Sequence, residues 1–313
     1  MSAASANPHA PSIGRVRRWL GPLHVTGVFW YRLPYWAVRH GLLAAWSFPF
    51  FVPLFSGLFF LLLRRIRHGI AANLEAVLGP CGFWERQRRI YRTMEAFAWC
   101  YGARYHQLAC PDRFTVELEG AEHVPTDPKR GVLFVTAHVG QWELSSHLAS
   151  HGQKRRVHVV REAEIDPDAQ RFVEGLLRTL SAQGVSTHFA SDDPRLGLAL
   201  GEALRRGEIV ALQGDRPRVH GRTHTARLFG RPIPLPVGPQ ALARATGAVL
   251  VPVFSFREGR YHYRVVVRPP IAVARTAARD ADVAAAVEAL AAEIEWAIRR
   301  APNQWFCFRP LWD

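Results

Sequence analysis

His138 and Glu143 lie five positions apart in the stretch Gly131 to Glu143, GVLFVTAHVGQWE. An imidazole ionises nearest neutrality, and a carboxylate bonded to Nδ1–H would fix its tautomer and leave Nε2 as a base. Five residues of straight helix would rotate the two side chains apart. A bend at Val139-Gly140 could instead fold Glu143 back beneath the ring. Gly140 permits close approach of a substrate, and backbone N–H groups near it could stabilise an oxyanion. By itself such a pair reads better as a structural hydrogen bond, since structural pairs also perturb pKa.

The element that must present His138 is the apolar run Val132-Leu133-Phe134-Val135, a buried strand running into a turn. From Pro111 onward strands and helices alternate. Strands are expected at Val132–Val135, Val157–Val160, Val185–Phe189, Ile209–Leu212, Val249–Phe256 and Tyr261–Val267, and helices near Trp142–Ser150, Pro167–Leu180, Leu196–Arg206 and Pro239–Thr246. Asp282 is placed to cap a last helix whose apolar stripe is Val283, Val287, Leu290, Ile294 and Ile298. This pattern predicts an α/β fold with a largely parallel sheet flanked by helices.

The preceding region has a different texture. Residues 1–14 read as a loose tail, 15–110 as a membrane-associated helical region, and 111–313 as the α/β domain. Trp19, Phe29, Trp30, Tyr31, Tyr35 and Trp36 interleave with Arg32 and Arg39, as suits a lipid head-group layer. Leu42 to Leu63 carries no charge and ends on Arg64, Arg65 and Arg67. It is long enough for a hydrocarbon core of about 30 Å. Pro49, Pro53 and Gly57 would kink it, so a re-entrant or interfacial hairpin competes with a span. A helix from Trp84 to Tyr105, with the stripe Ile90, Met94, Phe97, Tyr101 and Tyr105, would pack this region onto the rest.

The chain has 313 residues and a formal net charge of +14, almost all of its positive charge being arginine, since Lys129 and Lys154 are the lysines. The composition excludes a disordered or fibrous chain, and the charge points to an anionic partner. Cys81, Cys100, Cys110 and Cys307 show neither CxxC spacing nor a disulfide framework, so reduced thiols are expected. His220 and His224 have a four-residue spacing, but Arg218, Arg222 and Arg227 around them would repel a dication, so no metal is expected and a phosphate-binding loop reads better. The proline-rich run Gly230 to Pro239 reads as an ordered apolar loop.

Five blocks occur in order: AHVGQWE at Ala137, VVRE at Val159 followed by Asp166-Pro167, QGDRP at Gln213, LARATGAVLVPV at Leu242 and APNQWFCFRP at Ala301. Together they resemble the lipid A biosynthesis acyltransferase family, within the wider lysophospholipid and glycerolipid acyltransferases. The resemblance covers roughly Ile70 onward. It implies His138 as base, Glu143 as its partner, and Arg161 and Asp215 as further site residues. The chain departs from the family pattern at Gln141, where asparagine is commoner, at Glu162, at Asp166, and beside Asp215 at Gly214 and Arg216. Gly140, Gln141 and Arg216 therefore join the candidate substrate-binding residues. The implied activity is transfer of a fatty acyl group from acyl carrier protein or coenzyme A to a hydroxyl of an anionic lipid, a lipid A precursor first. It would occur at the cytoplasmic face of the bacterial inner membrane, with no cofactor besides the acyl donor. The expected partners are membrane phospholipid or glycolipid and acyl carrier protein, and not nucleic acid. Two alternatives stand: the same chemistry on a phosphoinositide mannoside, ornithine lipid or lysophospholipid, and a catalytically silent membrane or nucleic-acid binding protein.

Overall fold

The computed structural model describes residues 27–41, 46–109, 111–142, 155–181, 184–190, 193–217 and 221–312. It opens with helices α1 (Phe29–Arg39), α2 (Phe48–Leu62), α3 (Arg64–Leu78) and α4 (Phe83–Ala109). The uncharged run becomes α2, whose 15 residues reach only about 22 Å at ~1.5 Å per residue, short of a hydrocarbon core. Among the described residues no single helix is long and apolar enough to cross a membrane, while α2 and α3 together pass that test but meet at a 97° bend. The break falls at Leu63, the last residue of the apolar run. It does not fall at Pro49, which sits in the first turn of α2 where a missing N–H removes no helical bond. Residues 42–45 of the expected apolar segment lie outside the described residues.

The two sides of α2 are apolar. Phe48, Val52 and Ser56 face inward, while Phe50, Leu54, Leu58, Leu61 and Leu62, with Trp46 just ahead, are exposed. Inside, Ile70 and Leu74 of α3 meet Ile90 and Met94 of α4. The stripe expected on α4 is thus buried at Ile90, Met94 and Tyr105.

The α/β part is built on β1 (Thr115–Glu119), β2 (Val132–Thr136), β3 (Val157–Arg161), β4 (Val185–Phe189), β5 (Ile209–Gln213), β8 (Val249–Arg257) and β9 (His262–Val267). They form one seven-stranded sheet in the order β1-β9-β8-β2-β5-β3-β4. Strands β8, β2, β5, β3 and β4 run parallel, and β9 turns back antiparallel to β8 with β1 parallel to it. Helices α5 (Pro167–Ser181), α6 (Pro194–Arg205), α7 (Gly238–Thr246) and α8 (Arg279–Arg300) complete eight helices among the described residues. Alternate strand residues divide the core. Leu133, Val135, Val210, Leu250 and Phe254 pack with Val287, Leu290, Ile294 and Ile298 of α8, whereas Val132, Phe134, Ile209, Val249 and Val251 make the other face.

Three local expectations are corrected. The proline-rich run is a strand, β7 (Arg231–Pro236), paired antiparallel with β6 (Thr223–Leu228). Ile233 and Leu235 point inward while Pro232 and Pro234 are exposed, and in a two-stranded ribbon the outer edge needs no N–H. Asp282 does not cap α8, which begins at Arg279 after Ala278. Its buried carboxylate instead accepts from the Thr276 N–H and hydroxyl and from Arg244. His224, expected in a phosphate-binding loop, stands on strand β6 beside Glu288; His220 and Arg218 lie outside the described residues.

Candidate active site

Parallel strands deliver their C-terminal ends to one edge of the sheet, where ligands of open α/β sheets bind. Strand β2 pairs with β5 in a register that sets Thr136 opposite Gln213. Two residues further on, the same register brings His138 opposite Asp215. The His138 ring Nδ1 lies 2.8 Å from Asp215 Oδ1 and 3.1 Å from Oδ2, and the His138 backbone N–H donates to Oδ2 at 3.1 Å. The Asp215 side chain is 5% exposed and that of His138 24%. No hydrogen bond to His138 Nε2 is found among the described residues. Held at Nδ1 by a buried carboxylate and without a partner at Nε2 among the described residues, the imidazole has the arrangement of a general base. Trp142 packs beside it with ring centres 6.3 Å apart.

Burial raises the Asp215 pKa, but the charge and hydrogen bonds of His138, with the charge of Arg216, more than offset it and lower the carboxyl from 3.8 to about 2. The carboxylate on Nδ1 is therefore Asp215, where local spacing suggested Glu143. Sequence proximity favoured the residue five positions on, whereas strand pairing supplies one from 77 positions away. Glu143 itself lies outside the described residues.

The turn after His138 is clamped. Gly140 has φ +60, and a Cβ there would come within 1.9 Å of the Ser255 carbonyl oxygen. Its N–H donates to Gln304 O at 2.8 Å, and the N–H of the buried Gln141 donates to Ser255 O at 3.1 Å. Phe306 N–H in turn donates to His138 O at 2.9 Å. The Gln304 side chain spans to β8, accepting from Arg257 N–H and donating to Arg257 O. Of the backbone N–H groups near Gly140 expected to serve an oxyanion, those of Gly140 and Gln141 are already engaged within the protein, so neither is available to a substrate. Gly140 and Gln141 shape the turn. Gln304, Ser255 and Phe306, which hold it, were not singled out, although Gln304 and Phe306 fall within the last sequence block.

Arg216 adjoins the pair, with Nε 3.8 Å from Asp215 Oδ2 and a terminal nitrogen bonded to Phe306 O. Arg161 ends β3 at the same edge, where it donates to Glu164 at 3.0 Å. The other Glu164 oxygen accepts from the Tyr31 hydroxyl of α1 at 2.6 Å, tying the first helix to this edge. Among the described residues one group of metal-ligating type, Glu117, Glu258 and His262, comes together. The Arg264 guanidinium already bridges both carboxylates of that group.

Residues 31–313 match the family model described as bacterial lipid A biosynthesis acyltransferase. The chain belongs to that family. Among curated proteins it is similar to the phosphatidylinositol mannoside acyltransferase of Mycobacterium tuberculosis, in strains ATCC 25618 / H37Rv and CDC 1551 / Oshkosh, at 27% identity over 182 residues. That match covers 58% of this chain and 54% of the relative, so the chain spans about half the length of the curated relatives it matches. The crystal structure of the 1-acyl-sn-glycerophosphate acyltransferase PlsC from Thermotoga maritima is 15% identical, covering 79% of this chain and 95% of that one with a TM-score of 0.33. Such a likeness is too loose for a comparison of site residues. Membership in this acyltransferase family accords with a histidine–carboxylate pair at the sheet edge and with a sequence that contains no G-x-S-x-G nucleophile elbow.

Proposed function

We propose that this protein transfers a fatty acyl group from an acyl thioester, on acyl carrier protein or coenzyme A, to a hydroxyl of an anionic lipid. The observation that carries the reading is His138, fixed at Nδ1 by the buried Asp215 and without a hydrogen-bond partner at Nε2 among the described residues. Nε2 takes the proton of the acceptor hydroxyl as its oxygen attacks the thioester carbonyl carbon. A C–O bond forms, the carbonyl electrons move onto oxygen, and Asp215 stabilises the imidazolium. On collapse the C–S bond breaks, and the leaving sulfur receives the proton from His138. A thioester is activated enough that no covalent enzyme intermediate is required. Arg216, beside Asp215, supplies positive charge for the oxyanion, a role the engaged N–H groups of Gly140 and Gln141 do not fill. Arg161 binds a phosphate of acceptor or donor by exchanging its bond to Glu164.

The enzyme works at the cytoplasmic face of the inner membrane. Trp46, Phe50, Leu54, Leu58, Leu61 and Leu62 form an exposed apolar stripe on α2, followed at once by Arg64 and Arg65. Exposed patches of this kind seat on lipid, with arginines at the head groups. The acidic acyl carrier protein suits a chain of charge +14. A lipid A precursor is the acceptor the family description favours. The similarity to a phosphatidylinositol mannoside acyltransferase favours a mannosylated phosphoinositide as the second candidate. The test is transfer of labelled acyl group from acyl-carrier protein or acyl-coenzyme A to each lipid in vesicles. His138→Ala is expected to lower the rate by about a thousandfold, within the usual range for losing an acid–base group. Undiminished transfer by the folded variant would overturn the mechanism.

A further inference from the structure

The residues after α8 form a strap between two hydrophobic clusters. Trp305 and Cys307 enter the sheet-side core with Leu290 and Ile294, while Phe306 and Phe308 enter the helical side. Phe97 of α4 meets both phenylalanines, with ring centres 5.3 and 5.0 Å away. One end of the strap is the clamp on the catalytic turn, through Gln304 and Phe306.

The other end is hydrogen-bonded from α3 by the side chain of Asn73. Asn73 is 2% exposed. Its amide nitrogen donates to Cys307 O at 3.0 Å and to Arg309 O at 2.8 Å, and its oxygen accepts from Leu311 N–H at 3.1 Å. These bonds join residues 234 to 238 positions apart in the sequence. One turn earlier, Gly69 lets the strap lie directly on α3, since a Cβ there would come within 2.3 Å of the Phe308 carbonyl oxygen.

We infer that Asn73 is a positioning residue for the acyl transfer: it sets the height of the strap on α3, and the strap sets the His138 turn against Asp215. A buried amide that satisfies three backbone groups of an otherwise irregular segment fixes its path, because each group left unpaired would be penalised. Small displacements of a base relative to its substrate lower the rate without a new contact being lost. This inference rests on His138 acting as the base.

The test uses the full chain and two variants, Asn73→Ala and Gly69→Ala, the second pushing on the same strap while leaving the amide intact. In lipid vesicles each is expected to lower kcat about tenfold with KM for the acyl donor within about twofold. In an Asp215→Asn background the same changes are expected to cost less than about threefold, because the positioned pair is already broken. By hydrogen exchange, the amides of Gly140 and Phe306 are expected to exchange about tenfold faster or more in both variants, with those of Val287 and Ile294 in α8 unchanged. Equal rate losses in both backgrounds, or uniform acceleration that includes α8, would reduce Asn73 to a stability residue and overturn the inference. Wild-type exchange rates at Gly140 and Phe306 would overturn it too. If the unmutated protein transfers no acyl group to any lipid, the acyl-transfer reading fails, and the exchange data alone decide the strap.

Discussion

Replacing Asp215 by asparagine keeps the shape of the side chain and removes its charge. In the folded protein His138 and Arg216 hold the Asp215 carboxyl at about 2 instead of 3.8 despite its burial. That shift is worth roughly 2 kcal/mol in favour of the ionised form, shared between His138 and Arg216. In the proposed reaction the carboxylate faces the imidazolium that forms as His138 takes up the acceptor proton, so losing its charge should raise the barrier by up to that amount, on the order of thirtyfold in rate. Asparagine can still accept from Nδ1 or from the His138 N–H, but its amide hydrogens then need partners in a buried site. Initial rates of labelled acyl transfer in vesicles, for wild type, Asp215→Asn and Glu143→Gln, check the assignment. The expected outcome is a loss of about ten- to thirtyfold in kcat/KM for Asp215→Asn and a smaller one for Glu143→Gln. A folded Asp215→Asn enzyme within about threefold of wild type would refute the reasoning, most plainly if Glu143→Gln carried the loss.

Acid stability follows the same group. The Asp215 pKa is lower in the folded chain, so its contribution is present above about pH 4 and disappears as pH falls towards 2; Asp215→Asn should flatten acid unfolding there, read by circular dichroism. Gly140→Ala meets the Ser255 carbonyl at 1.9 Å with φ +60, and should cost about 2 kcal/mol or more in stability by denaturant titration, together with most of the activity. Leu290→Ala in the core of α8 should cost about 2–5 kcal/mol in the same titration and leave KM unchanged. Leu54→Glu on the exposed stripe of α2 should weaken sedimentation with anionic vesicles at least about tenfold, from the apolar burial it forfeits. Unaltered binding would move the lipid surface elsewhere.

The strands of the parallel sheet were legible because Val132–Val135, Ile209–Leu212 and Val249–Phe256 are apolar runs bounded by turns, as strands buried on both faces must be. What such runs do not encode is their order in space. Asp215 was visible as a candidate and His138 as a base, yet their pairing depends on β5 lying beside β2, a tertiary fact. Local spacing offered Glu143 in its place. Strand β1 escaped notice because its residues Thr115 to Glu119 are mostly exposed on an edge, and β7 because prolines normally exclude strands. Pro49, Pro53 and Gly57 predict a kink in the uncharged run, but the 97° bend falls at Leu63, which neither glycine nor proline marks. Asn73 carried no signal either, since its partners are backbone groups more than 230 positions away.

The place of β5 also dictates when the site can exist. Strands β2 and β3 are successive in the sheet's sequence order but are not neighbours in space, because β5 sits between them. A chain growing from its N-terminus holds His138 long before it holds Asp215, and Gln304 and Phe306 emerge later still. Long-range parallel pairing of this kind forms slowly. The imidazole therefore has no carboxylate behind it until β5 has slotted into the gap, and no clamp on its turn until the last core strap has closed. Half-made or half-folded copies carry the histidine but lack both carboxylate and clamp, so under the proposed mechanism maturation of the fold and arming of the base are one event.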